Sequence, residues 1–139
     1  MNTKSKKIGV LLLVLIAVII VGFTMYNKPH LDVAASKADV VITAGELVKH
    51  FEEDETAANK KFLDQLIQIK GKVKNLSYEK GKPVITLEAK GNMGDVMCHL
   101  PPQEPLDLTI KIGSSITVKG ICTGYLLDVV MVKCVITNQ

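Results

Sequence analysis

The sequence has no arginine and no tryptophan. Aromatic residues make up 4% of it, and its three cysteines are an odd number. Each shortage narrows the function. Without arginine there is no planar guanidinium fork to grip phosphates bidentately. With few aromatics there are few faces on which unpaired bases can stack. The formal charge of +3 does not restore a nucleic-acid field. Lys4, Lys6 and Lys7 account for all of it, because residues 27–139 carry 14 lysines against 14 acids. An odd cysteine count leaves at least one thiol outside any intrachain disulfide. No stretch has the tight ligand spacing of a metal motif, so no cofactor is expected.

Charge is also missing from residues 8–26, an apolar run interrupted only by Gly9, Gly22 and Thr24. As a helix the run spans roughly 28 Å, close to the ~30 Å hydrocarbon core of a bilayer. Lys4, Lys6 and Lys7 stand before it, which keeps the N-terminus cytoplasmic and sends the rest across. The expected order is a cytoplasmic N-terminus over residues 1–7, a transmembrane anchor over 8–26, a stalk over 27–42 and one domain over 43–139. The expected location is the inner or plasma membrane, crossed once, with the domain outside. A cleaved signal peptide is the rival reading. The run is longer than a usual signal core, and Val33-Ala34-Ala35 lies too far behind it to serve as the cleavage site. No cysteine follows closely enough for a lipoprotein-type anchor.

Periodicity organises the remainder. Ile67, Ile69, Gly71 and Val73 alternate with Gln68, Lys70, Lys72 and Lys74, the pattern of a strand with one dry face. Before it, Thr43 and Glu46 have the spacing of a capping box. Helices are expected from about 44 to 53 and from about 56 to 65, with the acidic run 52–55 as a solvated face or a break between them. After it, strands are expected over 83–88, 95–100, 115–122 and 129–137, parted by glycine- and proline-bearing turns. Pro101, Pro102 and Pro105 forbid regular pairing in the longest connection, and residues 106–112 suit a short helix or turn. Central glycines at 71 and 120 suit strands that bend. The fold class is therefore mainly β with a helical preface: a five-stranded OB-like Greek-key barrel behind one N-terminal transmembrane helix. An SH3-like barrel and a plain sandwich are the alternatives.

Leu47, Phe51, 58–62 (Ala-Asn-Lys-Lys-Phe), 69–73 (Ile-Lys-Gly-Lys-Val), 96–98 (Val-Met-Cys), 118–124 (Val-Lys-Gly-Ile-Cys-Thr-Gly) and 132–134 (Val-Lys-Cys) follow one another in a characteristic order. Together they resemble a bacterial family of tRNA-anti-like OB proteins, which are short, exported or membrane-anchored chains. The resemblance implies an OB barrel used for binding. It does not by itself imply that tRNA is bound. Asp54-Glu55 departs from the family pattern, where Asn-Glu is more usual.

Four lysines, Lys70, Lys72, Lys74 and Lys82, make the candidate binding row; a solvated strand face is the plainer explanation. Cys122 and Cys134 are equidistant from residue 128, so a hairpin with its apex there sets them opposite each other as a candidate disulfide. Two buried thiols are the alternative. Cys98 and His99 are chain neighbours and point to opposite faces of a strand, so they do not form a nucleophile and its base. Met93, Met97, His99 and Met131 are candidate soft-metal ligands, the last three if they share an outer face, with packing as the alternative. No catalytic residue is assigned. The expected partners are the bilayer through residues 8–26 and an envelope protein, peptide or glycan. Single-stranded nucleic acid is the alternative ligand.

Overall fold

The computed structural model describes residues 3–26, 32–102 and 109–138. Lys28, His30, Gln103, Glu104, Pro105 and residues 106–108 of the expected turn at 106–112 lie outside them. The chain divides into two compact units, Met1–Leu31 and Asp32–Gln139.

The first unit holds helix α1, Thr3–Tyr26. Its described side chains, residues 7–23 and Tyr26, are all exposed. No helix among the described residues is long and apolar enough to cross a membrane. The helix expected at the N-terminus is present; a crossing is not established by it.

The second unit contains β1 (Val40–Thr43), α2 (Ala44–Glu53), α3 (Glu55–Phe62), β2 (Leu66–Glu79), β3 (Lys82–Glu88), β4 (Val96–His99), β5 (Ser115–Tyr125) and β6 (Val129–Asn138). Strands β2 to β6 close on themselves in the order β2-β3-β4-β6-β5, and β5 pairs back onto β2. All pairs are antiparallel except β4 with β6. That circuit, with its one parallel seam between the third and fifth barrel strands, is the topology of a five-stranded OB barrel.

The barrel closes because its strands bend at glycines and bulges. A Cβ on Gly71 would lie 3.0 Å from Ala44 Cβ and 3.1 Å from Leu87 Cβ, so the glycine lets the start of α2 seat closely on β2 without displacing either. Strand β2 bulges between Val73 and Asn75, and the β5–β6 pairing slips at three places. Inside, Ile67, Ile69, Val73, Ile85, Leu87, Val96, Val118, Val129 and Met131 are buried. Their removal from water supplies the main stabilisation, about 25 cal/mol per Å² of apolar surface.

Helix α2 begins as expected. Glu46 N–H donates to Thr43 Oγ1 at 3.3 Å, and Glu46 Oε2 accepts from Thr43 N–H at 3.1 Å. The hydrogen bond from the Thr43 hydroxyl holds the Glu46 carboxyl below its ordinary range. Leu47, Val48 and Phe51 form its buried stripe. The helix touches β1, β2, β3 and β6, strands from different sides of the barrel, so it lies across an open end. Asp54 breaks the acidic run by capping α3, its Oδ1 accepting from Ala57 N–H at 3.0 Å. That accounts for one of the acids as a helix boundary.

Residues 32–42 fell within the expected stalk, but the structure joins them to the barrel. Val33 is buried. Strand β1 pairs in parallel with β2, Val40 opposite Ile67. Asp39 exchanges bonds with Leu66, donating its N–H to the Leu66 carbonyl at 2.8 Å and accepting Leu66 N–H on Oδ2 at 3.0 Å. Lys119 is 8% exposed, and its Nζ donates to the carbonyls of Ala34 at 3.0 Å and Ser36 at 2.8 Å. Lys119→Met keeps the stem and removes the donors, leaving two carbonyls unpaired. The expected loss is about 1–3 kcal/mol in denaturant unfolding, with a new protease-sensitive site within residues 32–39. An unchanged unfolding midpoint would show that this strap contributes nothing.

Candidate functional site

In OB barrels, ligands meet the outer face of the second and third strands and the loops joining strands one to two and four to five. Here those are β3, β4, the β2–β3 turn and the β5–β6 hairpin. Thr86, Met97, Val130 and Gly124 stand in register across β3, β4, β6 and β5, and all are half-buried. The row runs into a groove of ≈ 560 Å³ between α3 and the hairpin. Glu55, Asn59 and Leu63 line one wall; Tyr125, Leu126 and Val130 line the other. Leu126 and Leu127, at the hairpin tip, are 88% and 81% exposed.

The walls are fixed by neighbouring contacts. The Tyr125 ring stacks on Phe51, centroids 5.6 Å apart and planes 24° apart. Glu52 Oε1 accepts from the N–H groups of Met93 at 2.8 Å and Gly94 at 3.1 Å, tying α2 to the β3–β4 loop. Asn92 Nδ2 donates to the Gly45 carbonyl at 2.9 Å and reinforces that tie. Asp128 Oδ1 accepts from Asp95 N–H at 2.7 Å, which binds the same loop to the hairpin. The surroundings are acidic: partial burial first, then Glu52, Asp128 and Glu55, push the Tyr125 hydroxyl above its ordinary range.

The lysine row is distributed differently from a phosphate track. Lys70 is exposed between Thr43 on β1 and Thr117 on β5. Lys72 stands opposite Glu88, and Lys82 opposite Glu79. Lys74 occupies the bulge and pairs with Asp95 at 2.5 Å, a hydrogen bond that raises its ammonium above the ordinary range. Three of the four lysines therefore face a carboxylate.

All three cysteines are free and buried. Cys122 lies opposite Met131, because the hairpin apex falls at residue 127 and the bulges shift the register. Cys134 packs instead against Gly120 and hydrogen-bonds with Cys98. Burial pushes the Cys134 thiol well up, and burial raises that of Cys122. Such thiols are poor nucleophiles at neutral pH. The folded chain is expected to resist iodoacetamide at all three positions without reductant, and the denatured chain to label at all three. Incomplete labelling of the denatured chain would show a bond that this register does not provide.

Cys98 is buried and His99 half-buried, on opposite sides of β4. Met131 points into the core, away from Met97 and His99, so those three do not converge on a metal. Among the described residues, no group of three or more His, Cys, Asp or Glu side chains is placed to hold one.

A family model described as tRNA_anti-like matches residues 1–136. A crystal structure of a proposed nucleic acid-binding lipoprotein from Klebsiella pneumoniae subsp. pneumoniae MGH 78578 superposes with a TM-score of 0.58 at 11% identity, covering 68% of this chain and 89% of that one. At that identity the likeness shows a shared fold. No curated protein matches the chain.

Proposed function

The protein belongs to the tRNA_anti-like family, and from that membership we propose that it is a membrane-held, non-catalytic module that binds a protein or peptide on the outer side of the membrane. One observation carries the ligand class. The groove at the hairpin end of the barrel's ligand face has exposed leucines, a fixed tyrosine and acids and no lysine in its lining, while Lys80 and Lys82 lie at the β2–β3 turn. The uncharged run at 8–26 behind Lys4, Lys6 and Lys7 supports α1 as the anchor and the barrel as the exported part. A tether of that kind raises the module's local concentration at one surface. The Klebsiella protein is called a lipoprotein, but this chain has no cysteine before Cys98, so a lipid-linked cysteine does not carry over.

The test is crosslinking in intact cells from a photoreactive residue at position 126, with the same residue at position 80 as control. A protein captured from 126 and not from 80 supports the reading; capture from neither overturns it. Protease added to sealed spheroplasts should remove residues 32–139, and their survival beside a digested external control would overturn the placement.

The second reading is single-stranded nucleic acid, favoured by the family's name and by what the Klebsiella protein is called. It predicts salt-sensitive retention of a thymidylate 15-mer, abolished by Lys70→Glu with Lys72→Glu. We expect no such retention, because the lysines are locally matched by acids.

A further inference from the structure

We infer that the groove between α3 and the β5–β6 hairpin takes a cationic polypeptide segment anchored by bulky apolar side chains. This rests on the binding reading above and names the chemistry of the partner.

The groove supplies both halves of that chemistry. Leu63 and Leu126 offer apolar surface that water covers, 39% and 88% exposed. Tyr125 is held by Phe51 and so meets a ligand without losing rotamer freedom. A space of ≈ 560 Å³ lies within the range of small ligand sites and admits a few side chains, not a folded domain.

The groove's lining carries a carboxylate and no lysine. Glu55 lines the groove, and Glu52, Asp128 and Glu55 act on the Tyr125 hydroxyl. Among the described residues, the ion pairs are Lys49 with Glu53 and Lys74 with Asp95. No lysine among them makes an ion pair with Glu52, Glu55 or Asp128, although Lys74, held by Asp95, also acts on Asp128. Glu52 and Asp128 each turn one oxygen to backbone N–H groups, which orders the carboxylates without neutralising them. A lysine or arginine flanking an apolar anchor complements that rim. A phosphate chain or an anionic lipid surface meets like charge there.

The probe is a fluorescein-labelled 12-residue peptide alternating Lys and Leu. Its control is the same peptide with Glu for Lys. Both are titrated by anisotropy against the full-length chain in phosphatidylcholine nanodiscs. The Lys peptide should bind at least tenfold tighter than the Glu peptide, and less tightly as salt rises. Leu63→Ala with Leu126→Ala should weaken it about tenfold, and Glu55→Gln about threefold. All three positions lie at the surface or on an open groove wall, and a circular dichroism melt of each variant checks that folding is kept.

Equal binding of the two peptides overturns the inference, as does binding unaffected by the leucine pair. Displacement of the Lys peptide by a thymidylate 15-mer overturns it in favour of nucleic acid. A blue shift of an environment-sensitive dye at position 126, in nanodiscs without peptide, overturns it in favour of lipid. Peptide binding that falls as protein concentration rises overturns it in favour of a second copy. If position 126 captures a partner in cells while the Lys peptide fails here, the binding reading stands and the cationic chemistry falls.

Discussion

Gly94→Ala is expected to destabilise the barrel by more than about 3 kcal/mol, beyond the usual range for one added methyl. The added Cβ would fall 2.1 Å from the Leu127 carbonyl oxygen and 3.2 Å from its carbon. Those are backbone atoms, so no rotamer change relieves the overlap. Both backbones are also tied. Gly94 N–H donates to Glu52, Asp95 N–H to Asp128 Oδ1, and Val129 N–H to the Asp95 carbonyl at 2.9 Å. The loop and the hairpin can separate only by giving these up. Denaturant unfolding of the full-length chain measures the loss, and the hairpin amide resonances around residue 127 should shift with it. The control is Gly81→Ala: nothing lies within 4 Å of its Cβ, and only its φ of +77° resists the change. That position should cost about 1 kcal/mol. A Gly94→Ala chain no less stable than the Gly81→Ala chain would sink the account.

Gly120→Ala should cost about 2–3 kcal/mol by a different route. Its Cβ would meet Cys134 Sγ at 2.6 Å, with the Val132 carbonyl oxygen next at 3.2 Å. Here the main obstruction is a side chain, and a second substitution can remove it. Cys134→Ala alone leaves a small cavity in a fully buried site. Combined, each change should offset the other, so that the double variant recovers at least about 1 kcal/mol relative to additivity. Strict additivity in the four-variant cycle would mean that the sulfur is not what excludes the methyl. The same cycle cannot rescue Gly94→Ala, since no single side chain stands in the way there.

Much of the barrel is legible in the sequence because its signals are local. Alternation from Ile67 onward, the Thr43–Glu46 box and the two strand-centre glycines each report on a few neighbouring residues. What failed was register. Equal spacing about residue 128 set Cys122 against Cys134, but each bulge inserts a residue into one strand only and shifts everything beyond it. Strand β1 was also hidden. Four residues with one parallel neighbour have little pattern of their own, and the strand exists because β2 offers an unpaired stretch beside α2. The lysine row was visible, but its partners were not. Asp95 reaches Lys74 from 21 residues away, and Glu88 reaches Lys72 through strand pairing.

The groove was missed altogether. Its one sequence signal is Leu126-Leu127, two large apolar residues at a hairpin tip where turn chemistry favours polar ones. Glu52 was read with its acidic neighbours as a solvated face or a helix break. Its bonds to Met93 and Gly94 span more than 40 residues and leave no local trace.

Closure of the barrel has a consequence for how anything can be recognised. Each barrel strand has a hydrogen-bonded neighbour on both flanks over part of its length, but β2 pairs with β5 only as far as Lys72 and β6 with β4 only over Val129–Met131. Among the described residues, 74–79 and 132–138 therefore each keep one open flank, besides the rim of β1. An incoming extended chain has only the far halves of β2 and β6 and the short β1 as ladders to extend, which confines strand addition to those stretches. Over the rest of the perimeter selection falls to pockets and charge, and there the closed ladder guards the module against zipping onto its own copies.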